Sequence, residues 1–136
     1  MLAVDLFSGA GGMSLGAIAA GCRVALAVEI ETNAARTYQL NHPGTTVLNV
    51  DICAYRPRKR MAGEKGEPTM IFGGPPCQGF STSNQRTRNT LNPTNWLFEE
   101  YFRVAKILRP DWIVIENVRG LLETVGADRK LTHLDR

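Results

Sequence analysis

Apolar residues follow two alternating rhythms along the chain. Short, mainly apolar runs cover residues 2–7, 24–29, 47–51, 69–72 and 112–116. Between them, segments 12–20, 32–41 and 95–108 repeat apolar residues at helical spacing. The first rhythm predicts buried strands and the second predicts helices. Segment 95–108 is the clearest, with Leu97, Phe98, Tyr101, Phe102, Ala105 and Leu108 on one stripe that stops before Pro110. Segment 32–41 closes at His42-Pro43-Gly44. Strands this apolar are expected to be covered on both faces, as in a parallel sheet between helices. The alternation predicts a doubly wound α/β fold with a mostly parallel sheet. Right-handed crossovers then gather the strand carboxyl ends on one edge, where ligands bind.

Two stretches fit neither rhythm. Residues 55–67 carry Arg56, Arg58, Lys59, Arg60 and Lys65 among Pro57, Gly63 and Gly66, and read as a solvated loop. Residues 81–93 are polar, hold Arg86 and Arg88, and are long for a plain connection. Loops of that length often serve as lids or binding loops.

Composition narrows the picture only a little. The chain has 136 residues, enough for one domain (1–136), and is 43% hydrophobic, as a globular core requires. A net charge of +3 permits contact with nucleic acid without arguing for it. No apolar run approaches the roughly 20 residues of a membrane span. The beginning of the chain lacks a basic segment and does not read as a signal peptide. Cys22, Cys53 and Cys77 form no CxxC pair, which speaks against a disulfide framework and against a zinc or other metal site. Cys22 and Cys53 fit packed free thiols. A reducing cytoplasmic compartment is the expectation.

Candidate chemistry collects where predicted strands end. Asp5-Leu6-Phe7-Ser8-Gly9-Ala10-Gly11-Gly12 joins the first strand to the first helix. Its glycines let backbone approach a ligand, and the helix behind it offers unpaired N–H groups. Glu29 lies twenty residues beyond Gly9, at the second strand's end, where an acid can take both hydroxyls of a ribose. Ser14 occupies the third glycine slot of a dinucleotide fingerprint, so that fingerprint is not met. The plain alternative is a glycine turn that binds nothing. Asp51-Ile52 ends the third strand; the Asp is suited either to an exocyclic amine, with Ile52 against the ring, or to a helix N-cap.

Gly73-Gly74-Pro75-Pro76-Cys77-Gln78-Gly79-Phe80-Ser81 follows the fourth strand. A cysteine behind two prolines and between glycines sits on a stiff turn rather than in a core. Its thiol is a candidate nucleophile once turn amides or a cation raise the thiolate fraction. Glu116-Asn117-Val118 ends the fifth strand. A carboxylate closing so apolar a strand needs a partner or a task. One task is holding a proton at a substrate ring nitrogen; the alternative is a structural cap.

In this order the segments resemble the DNA (cytosine-5)-methyltransferase family over roughly residues 2–122. The resemblance implies a Rossmann-like fold of the S-adenosylmethionine-dependent methyltransferase type, with S-adenosylmethionine as cofactor and double-stranded DNA as partner. It implies that Phe7, Gly9, Gly11, Gly12, Glu29, Asp51, Ile52, Pro75 and Leu97 form the cofactor site. Cys77 would add to C6 of cytosine while Glu116 stabilises a protonated N3. C5 would then take the methyl group, and loss of the C5 proton and of Cys77 would restore the ring. The base must leave the duplex to be reached. Pro76, Gln78, Ser81, Arg86, Arg88, Asn117 and Val118 would line the base pocket or belong to the loop that closes over it, with Arg86 and Arg88 on phosphate or simply solvated.

The chain departs from the family in length. Members are usually more than twice as long, and three parts have no counterpart here: the Gln-x-Arg-x-Arg segment, the target-recognition domain and the late helix that completes the cofactor pocket. The sheet is therefore expected to stop after about the fifth strand, leaving an unpaired edge and apolar surface. The expectation is a chain that self-associates, pairs with a second polypeptide or is marginally stable, with little methyl transfer by itself. The competing readings are a cofactor- or DNA-binding fragment without turnover and an unrelated nucleotide-binding oxidoreductase.

Overall fold

A computed structural model of the protein describes residues 1–76 and 96–117. These residues form strands β1 (Leu2–Leu6), β2 (Arg23–Glu29), β3 (Thr46–Asn49), β4 (Thr69–Gly73) and β5 (Trp112–Ile115). Three helices alternate with them: α1 (Gly12–Ala19), α2 (Thr32–Asn41) and α3 (Trp96–Leu108). All strand pairs are parallel, in the order β3-β2-β1-β4-β5. The chain thus winds outward from β1 through β2 to β3, returns to the other side of β1, and winds outward again. Between β1 and β4 the winding reverses, and at such a switch point the connections part to leave a crevice.

The period of two along β1 sorts the core into two layers. Leu2, Val4 and Leu6 face one way and pack with Ile71 and with Tyr101, Val104, Ala105 and Leu108 of α3. Ala3 faces the other way, with Val24, Phe72 and Met13 and Ala17 of α1. Helices α1 and α3 therefore cover opposite faces, the outcome of right-handed crossovers on either side of the switch. β1 is buried at all five positions, as the innermost strand must be.

Helix ends follow local chemistry. Helix α2 begins at Glu31, whose side chain accepts a 2.7 Å hydrogen bond from Ala34 N–H. Helix α3 stops where Arg109 turns left-handed (φ 48°) ahead of Pro110. Arg103 on α3 reaches across to the turn after β3: its Nη2 donates to the carbonyls of Ile52 and Tyr55, both at 2.9 Å. Its Nε donates to Glu100 at 2.6 Å.

Two expectations need correction here. Residues 55–67 are not wholly solvated: Met61 is buried and its N–H donates to Leu108 O at 2.8 Å, which pins the segment to the end of α3. And β5, apolar throughout, is not covered on both faces. Trp112, Ile113 and Val114 are 61%, 45% and 44% exposed, because β5 is the outermost strand among the described residues. The exposed edge was expected; burial on both faces was not compatible with it.

Candidate active site

At the carboxyl end of β1 the backbone makes an irregular turn. Phe7 and Gly9 both have left-handed φ (59° and 53°), and Gly11 follows at 95° as the N-cap of α1. Left-handed Phe7 costs on the order of 1–3 kcal/mol, a cost sites of function often carry. The turn is held to β2 at two points: Ser8 N–H donates to Val28 O at 3.1 Å, and Gly9 N–H donates to Glu29 Oε2 at 2.7 Å. The other oxygen, Glu29 Oε1, accepts from Glu31 N–H at 2.7 Å. Each oxygen of this carboxylate has one backbone donor and keeps a further lone pair for another.

The space around the turn is open. A Cβ built on Gly9 or Gly12 would meet nothing within 4 Å. No side chain caps the first amides of α1, so they remain donors at the positive end of the helix dipole. Ser8 Oγ is buried and has no partner among the described residues. Open space, unpaired amides, an orphaned hydroxyl and a carboxylate fixed beside them suit a ribose and a charged tail.

Beneath the turn lies a buried polar chain. Asp5 Oδ2 accepts from Ser14 Oγ at 2.7 Å, and Ser14 Oγ lies 2.5 Å from Tyr38 Oη. Burial pushes the Asp5 carboxyl up to about 7; the Ser14 bond opposes this and the Glu29 charge adds to it. The folded protein therefore keeps a proton that an unfolded chain has released between roughly pH 4 and 7. Stability from this group is present at low pH and falls as pH rises through that window. Asp5→Asn, which keeps an acceptor for Ser14, should remove that slope. Thermal melts from pH 5 to 8 check this: the wild-type melting temperature should fall several degrees relative to the variant. Parallel profiles would show that Asp5 does not titrate there.

The second wall of the crevice is built from β4 and β5. Leu6 and Gly73 are paired across the switch point. Gly73 (φ 153°) comes so near β1 that a Cβ on it would stand 1.8 Å from Leu6 O. Glu116 N–H donates to Gly73 O at 3.0 Å, which sets the acid beside the turn that follows β4. A Cβ on Gly74 would fall 2.9 Å from Glu116 Oε2, so the absence of a side chain there makes room for the carboxylate. Asn117 Nδ2 donates to Pro75 O at 3.1 Å and ties the end of β5 to the proline turn. Pro75 is buried, Pro76 half-buried and Glu116 exposed.

Residues 1–133 match the C-5 cytosine-specific DNA methylase family. The chain belongs to that family. It is 41% identical over 120 residues to the type II methyltransferase M1.HphI of Haemophilus parahaemolyticus, covering 87% of this chain and 32% of that protein. It is 39% identical over 127 residues to the type II methyltransferase M.DdeI of Desulfomicrobium norvegicum, covering 93% of this chain and 30% of that one. Among solved structures, a prophage-encoded protein from E. coli described as a DNA modification methyltransferase superposes with a TM-score of 0.71. That match has 32% identity and spans 98% of this chain but 36% of the other. This chain thus spans about a third of the length of these C-5 methylase relatives.

Within this C-5 methylase frame the expected residues divide into four groups. Phe7, Gly9, Gly11, Gly12 and Glu29 meet at one turn, and Pro75, Pro76, Glu116 and Asn117 meet at the other. Both turns lie at strand carboxyl ends, on the edge expected. Cys77, Gln78, Ser81, Arg86, Arg88 and Val118 lie outside the described residues. Asp51 and Ile52 follow β3 and Leu97 lies in the first turn of α3, and Phe7, Ile52 and Leu97 share one apolar cluster. Asp51 is exposed and its Oδ1 accepts from Cys53 N–H at 2.8 Å, closing the turn after β3. Ile52 is 4% exposed and packs in the α3-side core. Leu97 packs partly against the same core at the start of α3. Cys53 is a further correction, exposed rather than packed.

Sequence reasoning missed the residues beneath the glycine turn. Ser14 entered only as a break in a fingerprint and His42 only as a helix terminator. The available signal was polar residues on otherwise core-facing positions: Ser14 in an alanine-rich helix, Tyr38 and His42 four apart on the next.

No described helix is long and apolar enough to cross a membrane.

Proposed function

We propose that this chain is the cofactor-binding and nucleophile-bearing part of an enzyme that moves a methyl group from S-adenosylmethionine to C5 of cytosine in double-stranded DNA. The observation that carries this reading is the Glu29 carboxylate, bonded to Gly9 N–H under an open glycine turn, across the switch point from Glu116 beside Gly74. Family membership supports it.

In this reading Glu29 takes the ribose hydroxyls, and the amides of residues 9–12 receive the polar tail. Phe7 lies against the adenine, Asp51 accepts from its exocyclic amine, and Pro75 and Leu97 bound the same pocket. The cofactor supplies an electrophilic methyl on a sulfonium. Cytosine C5 is too poor a nucleophile to take it unaided, so the Cys77 thiolate first adds to C6. Glu116 holds a proton at N3 and lets charge reach C5. After C5 has taken the methyl, its proton leaves and the C6–sulfur bond breaks, which restores aromaticity and the thiolate. The cytosine is flipped out of the duplex, against Pro76, Gln78 and Val118, while Ser81, Arg86 and Arg88 belong to the loop that closes over it. Asn117 braces the turn through Pro75 O.

The exposed Trp112, Ile113 and Val114 support a further part of the reading: other polypeptide, whether a C-terminal region beyond residue 136, a second chain or a copy of this one, covers β5. Titration calorimetry of the chain with S-adenosylmethionine, with light scattering on the same sample, tests both parts. Glu29→Ala should weaken cofactor binding at least roughly tenfold, as loss of a charged hydrogen-bonding partner requires. Scattering should give a mass above that of one chain. Unchanged affinity in the variant would remove Glu29 from the cofactor site, and a stable monomer at high concentration would count against a covered β5.

A further inference from the structure

The polar chain beneath the glycine turn is used by none of the steps above. It is nonetheless a continuous run of buried polar contacts. Ser14 has one hydroxyl proton and gives it to Asp5 Oδ2 at 2.7 Å. The 2.5 Å contact between Ser14 and Tyr38 must then be donated by the tyrosine. Tyr38 is fully buried, and His42, one helical turn on, packs against it with ring centroids 4.6 Å apart. His42 Nε2 lies 3.1 Å from Gly11 O. A carbonyl only accepts, so this nitrogen carries the proton.

Gly11 is the residue on which this arrangement converges. Its N–H donates to Ser8 O at 3.0 Å, and its O accepts both from His42 and from Leu15 N–H at 2.9 Å. A Cβ here would stand 2.4 Å from His42 Nε2 and 2.9 Å from Tyr38 Cδ2. The two rings therefore press on the backbone of Gly11 itself. Helix α2 is fastened to the same turn at its other end, because Glu29 bonds both Gly9 N–H and Glu31 N–H just ahead of that helix.

We propose that Tyr38 and His42 are positioning residues of the cofactor site: from the end of α2 they fix the left-handed Gly11 and so aim the first amides of α1. This rests on the reading of the glycine turn as the cofactor site. Neither residue touches the cofactor. His42 acts through the Gly11 carbonyl, and Tyr38 acts through Ser14 and by backing the His42 ring.

The test uses the full chain and three variants: Tyr38→Phe removes one hydroxyl, His42→Leu removes the donor, and His42→Gln retains an N–H. Amide hydrogen exchange is followed at Gly11 and Leu15, with β1 amides as an internal reference, and the affinity for S-adenosylmethionine is measured alongside. In Tyr38→Phe and His42→Leu, exchange at Gly11 and Leu15 should quicken roughly tenfold relative to β1, the factor for one buried hydrogen bond. Cofactor affinity should fall by a similar factor, and His42→Gln should recover most of both. Equal acceleration throughout the chain, or no recovery with glutamine, would reduce the pair to ordinary core and overturn the proposal. Should the wild type bind no cofactor while the exchange pattern appears as expected, the functional reading fails and the fixing of the turn stands. Unchanged exchange with normal cofactor binding fails the proposal alone.

Discussion

Serine in place of Cys77 should abolish covalent capture of DNA containing 5-fluorocytosine while leaving cofactor affinity within about twofold of wild type. Fluorine at C5 cannot leave as a proton does, so an enzyme that has added its thiolate to C6 and transferred the methyl stays bonded to the base. A serine hydroxyl is far less acidic than a thiol and carries almost no anion at neutral pH. The adduct should therefore disappear rather than diminish. The experiment needs an active form, in which this chain is supplied with whatever covers β5. Denaturing gels with labelled duplex then show a shifted band for wild type and none for the variant. An undiminished band would place the nucleophile at another residue, whereas loss of the band together with loss of cofactor binding would indicate a misfolded turn. Glu116 provides an internal comparison: it stands beside Gly74 and is exposed, so Glu116→Gln should fold and bind cofactor while slowing capture.

Alanine at position 73 should prevent folding. Its methyl carbon would be 1.8 Å from Leu6 O and 2.8 Å from Leu6 C, both backbone atoms of the central strand. No rotamer change relieves such a contact; β1 and β4 would have to separate at the point where the sheet reverses its winding. The φ of 153° adds strain for any residue with a side chain. Together these place the cost at about 4 kcal/mol or more, a large share of the stability of a small domain. Urea unfolding followed by circular dichroism should show no cooperative transition for Gly73→Ala. Gly16→Ala is the matched control. Gly16 lies in α1 with nothing within 4 Å of a built Cβ, so alanine there should stabilise by about 0.5–1 kcal/mol. A cooperative Gly73→Ala with wild-type stability would mean that β1 and β4 are not so closely apposed.

The element order was legible because each strand and helix announces itself by period, and a chain that alternates them has few ways to fold. Both turns of the site were legible for the same reason: they sit where apolar runs stop. Periodicity alone did not say which apolar run is outermost; the expected edge at the fifth strand came from the resemblance and the chain's length. Residues 112–116 look as central as residues 2–7, since composition records what a strand buries in its finished assembly and not which neighbours stand beside it. The burial of Ile52 was not legible either: it follows a strand end, and Arg103 draws that turn's carbonyls toward α3 while the isoleucine packs into the core. The layer below the glycine turn was invisible for a different reason. Ser14 lies 24 residues before Tyr38 and its neighbour His42, and only the packing of α2 beside α1 makes one network of them.

Arg103 has a mechanical meaning as well. It stands on the helix that leads into β5, yet its guanidinium grips the loop leaving β3, at the far side of the sheet. A doubly wound sheet is most easily hinged along the seam where its two halves diverge, and this side chain straps the halves together across that seam. Any opening of the crevice by rotation of one half works against the hydrogen bonds to these two part-buried carbonyls. The two halves of the sheet are thus joined by a side chain as well as by the ladder between β1 and β4.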